Sequence, residues 1–231
     1  MAKLSVEQQK FLAAAAALTF VENNMIVGLG TGSTTEFAIR LLAEEVKAGL
    51  KIIGVPTSVA TEKLARRLKI QLVDDLGMFK KIDLTIDGAD EVDPQLNLIK
   101  GGGGALAREK IVASRSARVV IVVDEKKMVK QLGKFPLPVE VLPFGWQSTM
   151  EILRDLGARV KLRQKNAKTP CRTDNGNYIV DCAFGKIANP PNLASQIKNI
   201  AGVVEVGLFI SRTDLVLVGC RDGRIEEKWA T

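Results

Sequence analysis

Three short stretches of this sequence combine residue types that can bind an anion, hold a charge and move a proton. The first is Gly28-Leu29-Gly30-Thr31-Gly32-Ser33-Thr34, between a short apolar run and an amphipathic one. Glycines let the backbone turn tightly and come close to a ligand, and a helix that begins just after them presents unpaired N–H groups. With the hydroxyls of Thr31, Ser33 and Thr34 beside them, these groups suit a phosphate. The turn is not a dinucleotide fingerprint, whose third glycine would fall on Ser33. Nor is it a P-loop, since no Gly-Lys-Ser or Gly-Lys-Thr occurs. From this motif alone, a ligand-free strand–helix turn stays equally open.

The second stretch is Asp87-Gly88-Ala89-Asp90-Glu91-Val92-Asp93, at the end of an apolar run. In open α/β sheets that end of a strand is where ligands bind. The small residues Gly88 and Ala89 let Asp87 and Asp90 reach one cavity from a single turn. The residue order of a calcium loop is absent, a magnesium cluster stays open, and an Asx-rich turn is the plainer reading of these carboxylates alone. The third stretch is Lys100-Gly101-Gly102-Gly103-Gly104, followed by Glu109. Four consecutive glycines cost folding entropy, and close approach of a ligand to the backbone is the usual reason to keep them. Lys100 offers a positive charge to an oxyanion. Glu109 falls about one turn into the following helix, where partial burial of a carboxylate suits it to act as a base.

The sequence contains no histidine. Ser-His-Asp and Cys-His pairs are therefore excluded, as is any zinc site that needs imidazole. Proton transfer near neutral pH falls to a carboxylate, Lys, Tyr or Cys. A phosphate cradle, carboxylates for hydroxyl protons, a Lys electrophile and a Glu base together suit proton abstraction next to the carbonyl of a sugar phosphate.

The elements that must position these residues are legible from hydrophobic periodicity. A helix is expected from Ser5 to about Glu22, with Ser5 as N-cap and Gln8 completing a capping box. Strands are expected at 25–30, 51–56, 82–87 and 118–124, with helices near 33–48, 58–68 and 105–115. Short apolar β-branched runs alternating with amphipathic helices predict a parallel sheet covered on both faces. After Val129 the texture changes, and Lys134-Phe135-Pro136-Leu137-Pro138 opens a strand–helix–strand–strand–helix–strand succession. The expected architecture is α/β, a Rossmann-like parallel-sheet domain (1–131 plus 206–231). A smaller α+β, ferredoxin-like domain (132–205) is inserted before the last strand, 214–219.

Composition bounds the rest. A chain of 231 residues can bury roughly 70% of its unfolded surface, so it needs neither disulfides nor metal to fold. Cys171, Cys182 and Cys220 form no CxxC pair and are odd in number, which predicts a reduced, cytoplasmic protein. The apolar run Phe11–Val21 is too short to span a bilayer and reads as a buried helix. The net charge of +7 is uneven: 159–172 holds six basic residues and no acid, with Arg159, Lys161, Arg163 and Lys165 alternating along a strand. A solvated basic face is expected there rather than a nucleic-acid groove, since aromatics are only 5% of residues.

At these motifs the sequence resembles a known family. GLGTGSTTEFAI, TIDGADEVDPQLNLIKGGGGALAREKIV and VVDEKKMVKQLGKFPLPVEV are similar, in order and over nearly the whole chain, to ribose-5-phosphate isomerase of the A type. The resemblance implies interconversion of ribose 5-phosphate and ribulose 5-phosphate in the non-oxidative pentose phosphate pathway. It also implies an enediolate intermediate, no metal or cofactor, and a homo-oligomer, dimer or tetramer, with neither nucleic acid nor membrane as partner. By matched motif, Glu109 would move the proton between C2 and C1. Asp87, with Asp90 beside it, would assist ring opening and proton transfer between the oxygens, and Lys100 would stabilise the enediolate. Thr31, Gly32, Ser33 and Thr34 would bind the phosphate and nearby oxygens. Gly88, Ala89, Gly101, Gly102, Gly103, Lys127 and Lys10 would complete the substrate contacts. The basic 159–172 stretch carries no role in that pattern. Rival expectations are an amino-sugar phosphate deaminase or CoA transferase on a related fold, a sugar-phosphate sensor without catalysis, and a nucleic-acid binder.

Overall fold

The computed structural model describes residues 3–73, 81–167 and 169–230. Lys168, one of the six cations of the basic stretch, lies outside them. Along the chain, α1 (Val6–Ala17) leads to β1 (Ile26–Leu29), α2 (Ser33–Lys47), β2 (Ile53–Pro56), α3 (Val59–Arg67) and β3 (Leu84–Asp87). Two short strands, β4 (Glu91–Val92) and β5 (Leu98–Ile99), precede α4 (Leu106–Arg115) and β6 (Val119–Asp124). Next come β7 (Leu137–Val141), α5 (Trp146–Asp155), β8 (Arg159–Leu162), β9 (Gln164–Asn166), β10 (Thr169–Pro170), β11 (Tyr178–Ala183) and α6 (Pro190–Lys198). They are followed by β12 (Val203–Val206), β13 (Leu208–Phe209), β14 (Leu215–Gly219) and β15 (Ile225–Trp229).

Two compact units are present. The first comprises Met1–Ala89, Arg108–Lys127 and Arg212–Thr231. Its sheet has the order β15-β14-β6-β3-β1-β2. All pairings are parallel except β14–β15. The parallel part is the 2-1-3-4-5 order of a doubly wound sheet, in which the chain reverses direction between β1 and β3. β6 is buried at every position, as a strand with helices over both faces must be. One face carries a cluster of Ala13, Ala14 and Ala17 from α1 with Leu84, Ile86, Val120, Val122, Leu215 and Leu217. The alanines let α1 lie close, and at Gly219 a Cβ would stand 2.0 Å from the Gln9 carbonyl oxygen.

The capping box at Ser5 is present: Gln8 donates its backbone N–H to Ser5 Oγ, and the Ser5 N–H reaches Gln8 Oε1. The helix expected to reach Glu22 stops sooner and tightens at Leu18–Phe20 into a 3-10 turn. There the Thr19 hydroxyl bonds the Ala16 carbonyl, the local competition that disfavours Thr within helices. No helix of the described residues is long and apolar enough to cross a membrane. β14 joins the first sheet as expected, but it is not the final strand. β15 pairs antiparallel with it, and its run of Glu226, Glu227 and Lys228 marks a charged edge rather than a buried strand.

The second unit comprises Asp90–Ala107 and Met128–Ser211. Its four-stranded antiparallel sheet has the order β12-β7-β11-β8, with α5 between β7 and β8 and α6 between β11 and β12. That is the ferredoxin-like arrangement. A smaller sheet, β13-β5-β4, lies in the same unit. These limits differ from the sequence-derived ones chiefly at 90–107, which groups with the second unit. Leu98 and Ile99 pair with Phe209 and Leu208, and the Glu91 carboxylate accepts the N–H groups of Gly133 and Phe135. Strands of two residues carry no periodic signal from which this grouping is readable. The basic strand also breaks at Arg163, between β8 and β9.

Candidate active site

In the first unit the glycine turn follows β1 and the Asp87 carboxylate ends β3. They therefore meet at the reversal point of the sheet, where doubly wound folds bind ligands. The strands are in register, with Leu29 opposite Ile86, and the Gly30 N–H continues the ladder to the Ile86 carbonyl. Asp87 is 1% exposed. Its Oδ1 accepts the Thr31 N–H at 3.1 Å and the Gly88 N–H at 2.8 Å. At Gly30 a Cβ would lie 2.2 Å from that same oxygen. Gly30 is thus required by the protein's own carboxylate, whereas the sequence suggested space for a ligand.

Gly32 has the requirement the sequence implied. Its φ of +124° is open to glycine, and a Cβ there would meet nothing within 4 Å. It is the N-cap of α2 and supplies no capping side chain, so the first turn of the helix lacks that partner. Ser33 is exposed and Thr34 half-buried beside these N–H groups, an arrangement suited to a phosphate. Thr31 is engaged differently. Its hydroxyl is bonded to those of Thr57 (2.8 Å), Ser58 (2.8 Å) and Thr61 (3.2 Å). The Thr61 hydroxyl in turn donates to the Gly30 carbonyl. This knot holds the turn from behind. Sequence reasoning missed Thr57, Ser58 and Thr61, although Ser58 caps α3 and accepts the Thr61 N–H, a spacing readable as an N-cap.

Glu109 lies in the first turn of α4 and is 4% exposed. Another residue of that helix, Val112, packs with Val55 and Ile82. Gly28 admits it: a Cβ there would fall 2.8 Å from Val112 Cγ1 and 2.0 Å from the Thr85 hydroxyl. Lys127 is half-buried in a 3-10 turn, Glu125–Lys127, after β6. Lys10 sits on α1, its side chain 14% exposed and paired with Glu7 at 2.7 Å. The Glu125 N–H donates to Gln9 Oε1 at 3.4 Å, tying the neighbours of these two lysines together.

In the second unit, Asp90 is half-buried and its Oδ2 accepts the Gly102 N–H at 2.7 Å. Its own N–H donates to the Ile99 carbonyl. The remaining carboxylates of that stretch are structural. Glu91 holds Gly133 and Phe135, and Asp93 accepts two backbone N–H groups and the Asn97 amide in an Asx turn. Among the described residues no three of Asp, Glu and Cys converge as ligands for a metal.

Lys100 is 3% exposed, with its Nζ 5.4 Å from the centre of the buried Phe209 ring, a cation–π distance. Its N–H donates to the Gly207 carbonyl at 2.8 Å, and Gly207 has no room for a Cβ beside the Lys100 carbonyl. Phe209 and Gly207 were not legible as site residues, because nothing local links them to Lys100. Gly101 has φ +107°, and Gly102 has no room for a Cβ against Asp90, so the loop's glycines answer to close packing of its own chain. Gly103 continues the loop as an exposed turn residue.

Residues 53–223 match the family model described as ribose 5-phosphate isomerase A (phosphoriboisomerase A). The chain is 51% identical over 222 residues to ribose-5-phosphate isomerase A of Thermomicrobium roseum, covering 95% of this chain and 93% of that one. It is 48% identical over 228 residues to the Ruegeria sp. protein of the same name, covering 96% and 87%. Among solved structures, a D-ribose-5-phosphate isomerase in complex with phospho-erythronic acid superposes with a TM-score of 0.94 at 43% identity, covering 98% of this chain and all of that one. The ribose 5-phosphate isomerase A of Methanocaldococcus jannaschii gives 0.92 at 40% identity, covering 97% and 100%.

Proposed function

The chain belongs to the ribose 5-phosphate isomerase A family, and on that premise we propose how its residues divide the work. It is an aldose–ketose isomerase that interconverts D-ribose 5-phosphate and D-ribulose 5-phosphate. The ligand of the related structure, phospho-erythronic acid, is a phosphorylated sugar acid and supports a sugar phosphate as the ligand here.

Glu109 is the base. It takes the C2 proton of the open-chain aldose and returns it to C1, so that an enediolate lies between aldose and ketose. Asp87 accepts the proton of the C2 hydroxyl and delivers it to O1, after assisting ring opening, and Asp90 supports it in that role. Lys100 meets the negative charge that develops on the oxygen. Ser33, Thr34 and the uncapped start of α2 receive the phosphate, with Thr31 and Gly32 shaping the turn and Lys10 and Lys127 adding positive charge. Gly88, Ala89 and Gly101–Gly103 offer backbone close to the sugar. In this scheme carboxylates move every proton, one of the choices left to a chain without histidine.

The observation that carries this reading is the buried Asp87 carboxylate, fixed by backbone N–H groups at the sheet's reversal point and adjoining a helix start with no capping side chain. We further propose a cytoplasmic homo-oligomer, dimer or tetramer. Family membership supports the assembly, and three free cysteines support a reducing compartment. Incubation with ribose 5-phosphate in deuterated water containing EDTA tests the chemistry. Ribulose 5-phosphate carrying solvent deuterium is expected. Ligand binding without turnover on any pentose phosphate would leave only a sensor.

A further inference from the structure

Among the described cations of the basic stretch left without a role, one side chain is unlike the others. Arg159, Lys161 and Lys165 are exposed, as a wet strand face predicts. Arg163, in the break between β8 and β9, has a side chain only 17% exposed. Its backbone is fixed on both sides: its N–H donates to the Ile179 carbonyl, and its carbonyl accepts the Cys171 N–H. Its guanidinium is shared among three residues. Nε and Nη2 donate to the two oxygens of Asp181 at 3.0 and 2.5 Å. Nη1 donates to the carbonyls of Gly101 and Gly102 at 2.8 and 3.1 Å.

The Gly101 carbonyl and the Gly102 N–H belong to one peptide plane. No peptide among the described residues is cis, so the two groups point to opposite sides. Arg163 holds the carbonyl side and Asp90 Oδ2 holds the N–H side, at 2.7 Å. In a run of four glycines such a plane turns over easily, because no Cβ restricts the flanking dihedrals. Turned over, it would aim a carbonyl at the Asp90 carboxylate and leave the guanidinium with one partner fewer. A rigid, planar fork already anchored on a carboxylate is suited to prevent that.

We propose that Arg163, oriented by Asp181, is a positioning residue for the isomerisation: it locks the Gly101–Gly102 peptide so that Asp90 and the adjoining Lys100 stay in place. The inference rests on the roles proposed above for Asp90 and Lys100. A misplacement of about 1 Å can lower turnover about 100-fold. Arg163→Ala is therefore expected to lower kcat about 10- to 100-fold with KM nearly unchanged.

A cavity of about 630 Å³, lined by Gly102, Arg159, Lys161, Arg163 and Asp181 among others, gives small cations access to the vacated place. Low, non-denaturing guanidinium should restore several-fold activity to Arg163→Ala and none to the parent enzyme, a response that lost stability alone does not produce. A kcat within twofold of the parent, or a loss that guanidinium does not restore, overturns the proposal. If Arg163→Ala does not fold, Arg163→Lys decides. It keeps the charge but cannot span the carbonyls and Asp181 together, so a normal kcat there also overturns the proposal. Lys100→Ala separates the two levels. Full activity in that variant sinks the reading on which this inference rests, whereas an inactive Lys100→Ala beside a normal Arg163→Ala sinks only the inference.

Discussion

The backbone N–H of Thr31 donates to the carboxylate of Asp87 at 3.1 Å, joining the turn after β1 to the end of β3. The Gly88 N–H reaches the same oxygen at 2.8 Å. A buried carboxylate is tolerable only with such donors, and here they also hold it in one orientation. Its immediate neighbour in the turn is Gly30, whose missing Cβ makes the approach possible.

Gly30→Ala therefore tests that approach. The added carbon would stand 2.2 Å from Asp87 Oδ1 and 2.6 Å from the Asp87 Cα, so side-chain rotation alone cannot relieve it. Overpacking of this kind costs about 1–3 kcal/mol, and the displaced carboxylate should take at least about 100-fold of kcat with it. Thermal unfolding and steady-state kinetics measured together check both. Parent-like turnover would show that the placing of Asp87 by this turn is irrelevant to the reaction.

Glu109→Gln preserves size while removing the proposed base. Turnover should drop about 10²–10⁴-fold, with substrate affinity and fold retained. Loss of C2 deuterium exchange in the same variant, followed by NMR, ties the defect to proton abstraction. Near-normal turnover rules Glu109 out as the base.

Lys100→Ala removes the charge proposed to meet the enediolate oxygen. The expected loss is about 3–4 kcal/mol of transition-state stabilisation, felt in kcat. If KM alone rises, Lys100 binds the ground state and another group meets the charge.

Thiol chemistry gives an independent check on the fold. Burial pushes the Cys182 thiol up to about 12, with the Asp181 charge adding to it. Burial also raises Cys220, helped by Glu226 and Asp222. Both thiols stay protonated at pH 8 and both are buried, so a thiolate-selective reagent should label only the half-buried Cys171 in native protein. Denaturation should release all three. A second fast-reacting thiol in the native state contradicts the burial of Cys182 in β11 or of Cys220, just after β14.

The parallel sheet, the capping box at Ser5, the glycine turn and the carboxylate-rich end of β3 were all legible in the sequence. Each is written in residues near one another along the chain, where periodicity, capping and turn chemistry act. The tertiary structure decided what those residues touch. It used Gly30 to admit Asp87, turned the Thr31 hydroxyl into a knot with Thr57, Ser58 and Thr61, and set Lys100 over Phe209. It also took Arg163 out of an apparently solvated basic face and set it on the glycine loop. Those partners lie from 26 to 109 positions apart in the chain. The sequence by itself determined the fold class and the chemistry available. Which donor meets which carboxylate depends on strand order and on the closeness that missing side chains permit, and both exist only once the chain is folded.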